Sequence, residues 1–234
     1  MDKSGILYGV GVGPGDPALL TLKAVEMLQS CDAVAAPAAK GDHSAALDIV
    51  SEYIEGKDVF FCHAPMSRDP AVLGAAYDAS AHAICERLEQ GQKVCFVTLG
   101  DPAVYSTYAY IHHRVKARGY RAEMIPGITS FSAAAAALGT PLCEGGEMLH
   151  IIPGSYCGVE MGLDLPGTRV LMKSGRQLPQ IYELLEARGL LEKAQMGVRV
   201  TMEGEELHTA LTAKPTGGAG YFSTIIIREA GRNE

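Results

Sequence analysis

The sequence predicts an α/β protein of two domains, and three observations carry that prediction. Up to about residue 140, short apolar runs rich in β-branched residues alternate with stretches of helical periodicity, the pattern of right-handed βαβ crossovers in a parallel sheet. Several of these runs stop abruptly at glycine, aspartate and proline, as strand-to-helix turns do. After Pro141 strand-like runs dominate and one long helical stretch remains, which predicts a mixed or antiparallel sheet. The expected organisation is an N-terminal domain over residues 1–143 with a mostly parallel sheet and a C-terminal domain over residues 144–234 with a mixed one.

Residues 94–99 (VCFVTL) read as a strand buried on both faces. Gly100 permits a backbone conformation closed to other residues, Asp101 is a good helix N-cap and Pro102 suits a first helical position. A helix is therefore expected from there to about Arg118, closed by Gly119. In an open parallel sheet such turns lie at the carboxyl ends of strands, where ligands bind. Further strands are expected at residues 6–12, 32–37, 57–62 and 121–125. Thr21 can cap a helix through Ser30 with an apolar stripe of Leu22, Val25 and Leu28. A helix is expected around residues 45–55, and Tyr77, Ala81, Ile84 and Leu88 mark another that Gly91 ends. Residues 126–131 (PGITSF) repeat the strand, turn and helix start, and lead into the alanines of residues 133–137. In the second half, strands are expected at residues 148–152, 168–172, 195–201, 206–212 and 222–228, with a helix near residues 178–188.

Composition narrows the function. An apolar fraction of 47% with 20% charged residues is that of a soluble globular protein, and no apolar run approaches the length of a bilayer span. Residues 1–5 lead into a strand without the apolar core of a secretory signal, so the cytoplasm is the expected location. The net charge of -7 gives no basic footprint for nucleic acid. Six cysteines, irregularly spaced and without a C-x-x-C pair, exclude a cysteine-based zinc site and read as core. His112 and His113 are adjacent on a helix, diverge by about 100°, and cannot share a metal as an i, i+4 pair can. Gly9, Gly11, Gly13 and Gly15 lie at alternate positions, whereas the dinucleotide fingerprint needs glycine where Pro14 or Asp16 stands. A nicotinamide site is excluded on that spacing.

Four ordered motifs carry a resemblance: residues 9–17 (GVGVGPGDP), Gly100-Asp101-Pro102, residues 126–130 (PGITS) and Leu171-Met172-Lys173. In order and rough spacing they resemble the tetrapyrrole methylases, class III methyltransferases that use S-adenosylmethionine, over nearly the whole chain. Residues 96–108 and 65–69 are most similar to the branch that methylates C20 of precorrin-2 or cobalt-factor II. The resemblance implies the cofactor in the cleft between two α/β domains, a homodimer, and a small-molecule tetrapyrrole as substrate. It implies cofactor contacts at Val12, Gly100, Asp101, Val104, Tyr105, Thr129, Ser130, Met172, Thr201 and Thr224. It implies that the loop carrying Gly11, Gly13, Pro14, Gly15 and Asp16 faces the tetrapyrrole.

An acidic chain must gather cations locally to hold a substrate that carries carboxylates. Arg68 leads the candidates, because guanidinium binds carboxylate bidentately, and Lys173 joins it, with Lys40, His43, His63 and Arg176 as further strand-end cations. Methyl transfer is an in-line displacement at a sulfonium whose leaving group is already good, so alignment does most of the work. That fits the lack of a Ser/His/Asp or Cys/His constellation, and no residue is assigned as base. Two alternatives stand beside this reading: another member of the family, such as one acting on uroporphyrinogen III, or a tetrapyrrole-binding module without catalysis.

Overall fold

The computed structural model describes residues 5–39, 41, 43–67, 69–156, 158–212 and 222–228. Residues Met1–Thr129 form one compact unit and Ser130–Glu234 another. In the first unit, β1 (Ile6–Gly11), α1 (Leu22–Ser30), β2 (Ala33–Ala38), α2 (Ala45–Val50), β3 (Asp58–His63), α3 (Pro70–Glu89), β4 (Lys93–Thr98), α4 (Thr107–Ala117) and β5 (Arg121–Ile125) follow in order. The strands lie β3-β2-β4-β1-β5, and every pairing is parallel. Adjacent strands β4 and β1 send the chain in opposite directions, β1 toward β2 and β4 toward β5. Their carboxyl ends therefore flank the kind of switch point at which open α/β sheets bind ligands.

The central strands β2, β4 and β1 are covered on both faces, which is why they read as apolar runs, whereas the edge strands β3 and β5 are largely exposed. Val10, Val34, Ala36, Cys95 and Val97 pack with Ala24, Leu28, Ile49 and Val50 of α1 and α2. Leu7, Ala33, Ala35, Val94 and Phe96 point the other way, onto Ile84, Leu88, Ile111 and Val115 of α3 and α4. Of the cysteines, Cys31, Cys62, Cys85 and Cys95 are buried as expected, but Cys143 is exposed. Cys157 lies outside the described residues.

Two helix starts differ from expectation. Thr21 caps α1 through Ala24 N–H as expected, but no helix begins at Pro102. Instead, α4 starts at Thr107, where the Ser106 hydroxyl accepts from Tyr108 N–H at 3.1 Å. Aspartate and proline look like a cap locally, but the Asp101 carboxylate is engaged elsewhere, as described below. Conversely, α3 starts well before its apolar stripe, at Pro70 behind an Asp69 cap that accepts from Ala71 N–H at 2.8 Å.

Tyr108 is the largest fully buried side chain of the unit. Its ring occupies the space beside Gly9, where a Cβ would overlap it, and packs on Phe96 with 5.7 Å between centroids. Its hydroxyl donates to Glu123 O at 2.8 Å, which leaves the phenol oxygen to accept from His112 Nδ1 at 3.1 Å. Burial, then Lys116 and His113, lower the His112 pKa below its ordinary value of 6.5. The stability this group contributes is full above pH 6.5 and is lost as pH falls through the lower folded value. Melting temperature is therefore expected to drop more steeply on acidification below pH 6.5 in the wild type than in His112→Gln. Parallel profiles would remove His112 as a cause.

The second unit comprises α5 (Ser130–Ala137), β6 (Leu149–Pro153), α6 (Val159–Leu163), β7 (Thr168–Met172), α7 (Leu178–Ala187), β8 (Ala194–Val198), β9 (Glu206–His208) and β10 (Ser223–Ile227). Its sheet runs β6-β7-β10-β8-β9, with β6 and β7 parallel and the other pairings antiparallel, the mixed sheet that was expected. Leu163, Ile181 and Leu185 of α6 and α7 pack with Leu171, Met196 and Ile225. The alanine helix α5 packs on β8 and β10 and groups with this unit, so the division falls one helix before the expected boundary near residue 144. The reason is close packing: a Cβ on Gly197 would lie 3.4 Å from Ala134 Cβ, an approach open only to small side chains. Among the described residues no helix is long and apolar enough to cross a membrane.

Candidate functional site

Three loops at the carboxyl ends of β1, β4 and β5 are knitted together by backbone. Gly100 N–H donates to Gly13 O at 2.8 Å and Gly13 N–H to Gly100 O at 3.3 Å, an isolated antiparallel bridge. Both residues have positive φ, 69° and 76°, a region in which side chains are strained, so glycine is favoured at each. Gly11 and Gly127 then meet without side chains: a Cβ on Gly11 would lie 2.6 Å from Gly100 O and 2.7 Å from Gly127 N. The Asp101 carboxylate closes the knot, with Oδ1 accepting from Ala103 N–H at 2.8 Å and Oδ2 from Gly127 N–H at 3.0 Å.

The structure thus brings Gly11, Gly13, Gly100 and Asp101 together, all within the first unit. Pro14 is buried and Gly15 half-buried beside them, and exposed Asp16 caps a short turn by accepting from Ala18 N–H at 2.8 Å. Val12 is fully buried in the core and its N–H donates to Thr98 O at 2.9 Å, so its side chain is not available to a ligand. Val104 is half-buried and Tyr105 is exposed, both in the loop that follows Asp101, and Thr129 is half-buried after Gly127. Three residues that hold this arrangement were not singled out by sequence. Gly127 lay inside a recognised motif but carried no side chain to mark it. Thr98 and Ser106 clamp the two ends of the loop through a buried hydroxyl pair at 2.9 Å. Both lie within the recognised residues 96–108, but the only hint of their pairing was two hydroxyls flanking the Gly-Asp-Pro turn.

In the second unit, Met172 and Thr224 are register partners across β7 and β10, both buried. Val198 pairs with Ser223 at the same end of the sheet, so Lys173 and Thr201, which follow β7 and β8, come off that end too. Ser130 is half-buried and opens α5. Among the described residues four non-glycines have positive φ, and Tyr105, Lys173 and Thr201 are three of them, at 48°, 55° and 64°. Strained backbone of this kind persists where the surrounding structure over-determines it, and it clusters at binding sites. Thr201 is pinned by its N–H, which donates to Glu205 Oε2 at 2.7 Å. Arg68 and Lys40 lie outside the described residues. His63 and Arg176 are exposed, and exposed His43 is 3.8 Å from the Asp48 carboxylate.

These features define a two-unit α/β protein whose first unit carries a glycine-built knot of loops at the carboxyl ends of its strands. A uroporphyrin-III C-methyltransferase from Thermus thermophilus, solved in complex with S-adenosyl homocysteine, shares that fold at a TM-score of 0.70 and 20% identity over 96% of this chain and 98% of its own. Residues 6–215 match the family of Tetrapyrrole (Corrin/Porphyrin) Methylases, and the chain belongs to that family. It is similar to the cobalt-precorrin-2 C(20)-methyltransferase of Salmonella typhimurium, at 37% identity over 97% of each chain. It is also similar to the precorrin-2 C(20)-methyltransferase of a Sinorhizobium species, at 35% identity over 95% of each.

Proposed function

We propose that this protein transfers a methyl group from S-adenosylmethionine to C20 of precorrin-2 or its cobalt complex in cobalamin biosynthesis, as a cytoplasmic homodimer. The observation that carries the reading is identity of 35–37% over 95–97% of the chain to two proteins named for that C20 reaction. The homodimer and the location are inferred from family membership.

The residues present suit the cofactor. The loops after β1, β4 and β5 offer peptide groups and half-buried Val104 and Ile128, and Tyr105 presents an aromatic ring from a strained backbone. When bound, S-adenosylmethionine supplies a methyl group already activated by sulfonium. What the chain contributes is alignment and exclusion of water, which can supply several kcal/mol of the barrier. Gly100, Val104, Tyr105, Thr129, Ser130, Met172, Thr201 and Thr224 are proposed to hold the cofactor, Val12 through its backbone and Asp101 through the loops it ties. Gly11, Gly13, Pro14, Gly15, Asp16 and Lys173 are proposed to face the tetrapyrrole, with Arg68 paired to one of its carboxylates.

Mass spectrometry of products from purified protein, S-adenosylmethionine and each substrate tests this. The expected result is a gain of one methyl, placed at C20 by carbon-13 labelling, on precorrin-2, cobalt-precorrin-2 or both. Methylation of uroporphyrinogen III instead, or tetrapyrrole binding without turnover, would replace the proposal with one of the two alternatives.

A further inference from the structure

We propose that Asp101 is a positioning residue that ties the loop after β4 to the loop after β5 and so sets where residues 127–129 stand. The ligand named here rests on the methyl-transfer reading above, whereas the tie rests on geometry alone. Asp101 presents one carboxylate to two backbone donors that are far apart in sequence. Oδ1 serves Ala103 N–H, two residues on, which is an ordinary turn contact. Oδ2 serves Gly127 N–H, twenty-six residues on and in another loop, which no helix cap would do.

Three features make this tie consequential. Asp101 is half-buried, so water competes less well for its oxygens, and an N–H bond to a carboxylate is about twice as strong as one between neutral groups. The preceding residue, Gly100, is bridged to Gly13 in both directions, so a shift of Asp101 moves the β1 loop as well. Gly127 lies in contact with the backbone of both Gly11 and Gly100, and it has no side chain by which to be held. A group that fixes its N–H fixes its place, and the two residues after it, Ile128 and Thr129, follow.

Asp101→Ala and Asp101→Asn in the full chain separate this role from a cap and from a direct ligand contact. Asparagine has one acceptor oxygen where aspartate has two, so it can keep the Ala103 turn, but its amide NH2 would face Gly127 N–H, donor against donor. Amide hydrogen exchange on the protein without cofactor is expected to show loss of Gly127 protection in both variants, with Ala103 losing protection in the alanine variant alone. KM for S-adenosylmethionine is expected to rise about tenfold in both, the effect of one lost charge-assisted hydrogen bond. Melting temperature is expected to fall in Asp101→Ala and to recover only in part in Asp101→Asn, which keeps the Ala103 bond but not the Gly127 one.

Unchanged Gly127 exchange in Asp101→Ala would overturn the proposal, and with a raised KM it would make Asp101 a direct ligand contact. Recovery of KM together with melting temperature in Asp101→Asn would overturn it in favour of a cap. A wild type that binds neither S-adenosylmethionine nor S-adenosylhomocysteine would sink the methyl-transfer reading instead. The exchange of Gly127 would then still decide whether the tie exists.

Discussion

Gly127→Ala is expected to lose roughly a hundredfold or more in kcat/KM and about 1–3 kcal/mol in stability. An added Cβ would overlap Gly100 O and lie 2.7 Å and 2.8 Å from the carbonyl carbon and Cα of Gly11. These neighbours are backbone and cannot rotate away as a side chain would, so the three strand-end loops must move apart. In a site whose main task is alignment, a displacement near 1 Å far from the chemistry costs about a hundredfold. Gly146→Ala is the control, because nothing lies within 4 Å of its added Cβ and its φ is not in the left-handed region. Steady-state kinetics and thermal melting check both variants. Wild-type turnover in Gly127→Ala would show that the knot tolerates expansion.

Tyr108→Ala is expected to destabilise the protein by about 3–5 kcal/mol, as deletion of a fully buried aromatic ring does. The ring fills the space beside Gly9 and packs on Phe96, and its hydroxyl satisfies Glu123 O, so its removal leaves a cavity and an unpartnered carbonyl. Gly9→Ala approaches the same contact from the other side: its methyl would overlap the ring, an overpacking expected to cost about 1–3 kcal/mol. In the Tyr108→Ala background that methyl enters vacated space and should cost much less. A double-mutant cycle by urea denaturation is therefore expected to give a coupling of about 1–3 kcal/mol. Strictly additive losses would mean that the two residues do not share the space.

Much of this was written in local sequence. A strand buried on both faces has no period to misread, so β4 was legible from its apolar run, and Thr21 was legible as a cap because its partner, Ala24 N–H, is three residues away. The resemblance motifs fall at the carboxyl ends of β1, β4, β5 and β7 for the same local reason. The mixed sheet followed from strand-like runs that outnumber the helical stretches after Pro141. What depended on distant partners was not legible. Gly-Asp-Pro read as a helix start, yet the carboxylate reaches Gly127 and the helix waits for Ser106, because a side chain's choice between a near and a far N–H is made by packing. Helix α5 read as part of the first half, and its packing on β8 and β10 groups it with the second. Met172 and Thr224 are some fifty residues apart, and the antiparallel register of β7 and β10 alone makes them neighbours. The sequence by itself determined most of the elements and where the strand-end loops fall, because periodicity, caps and turn chemistry act over a few residues. The tertiary structure decided which loops are tied to which, because those ties are hydrogen bonds and steric contacts between segments the chain brings together only when folded.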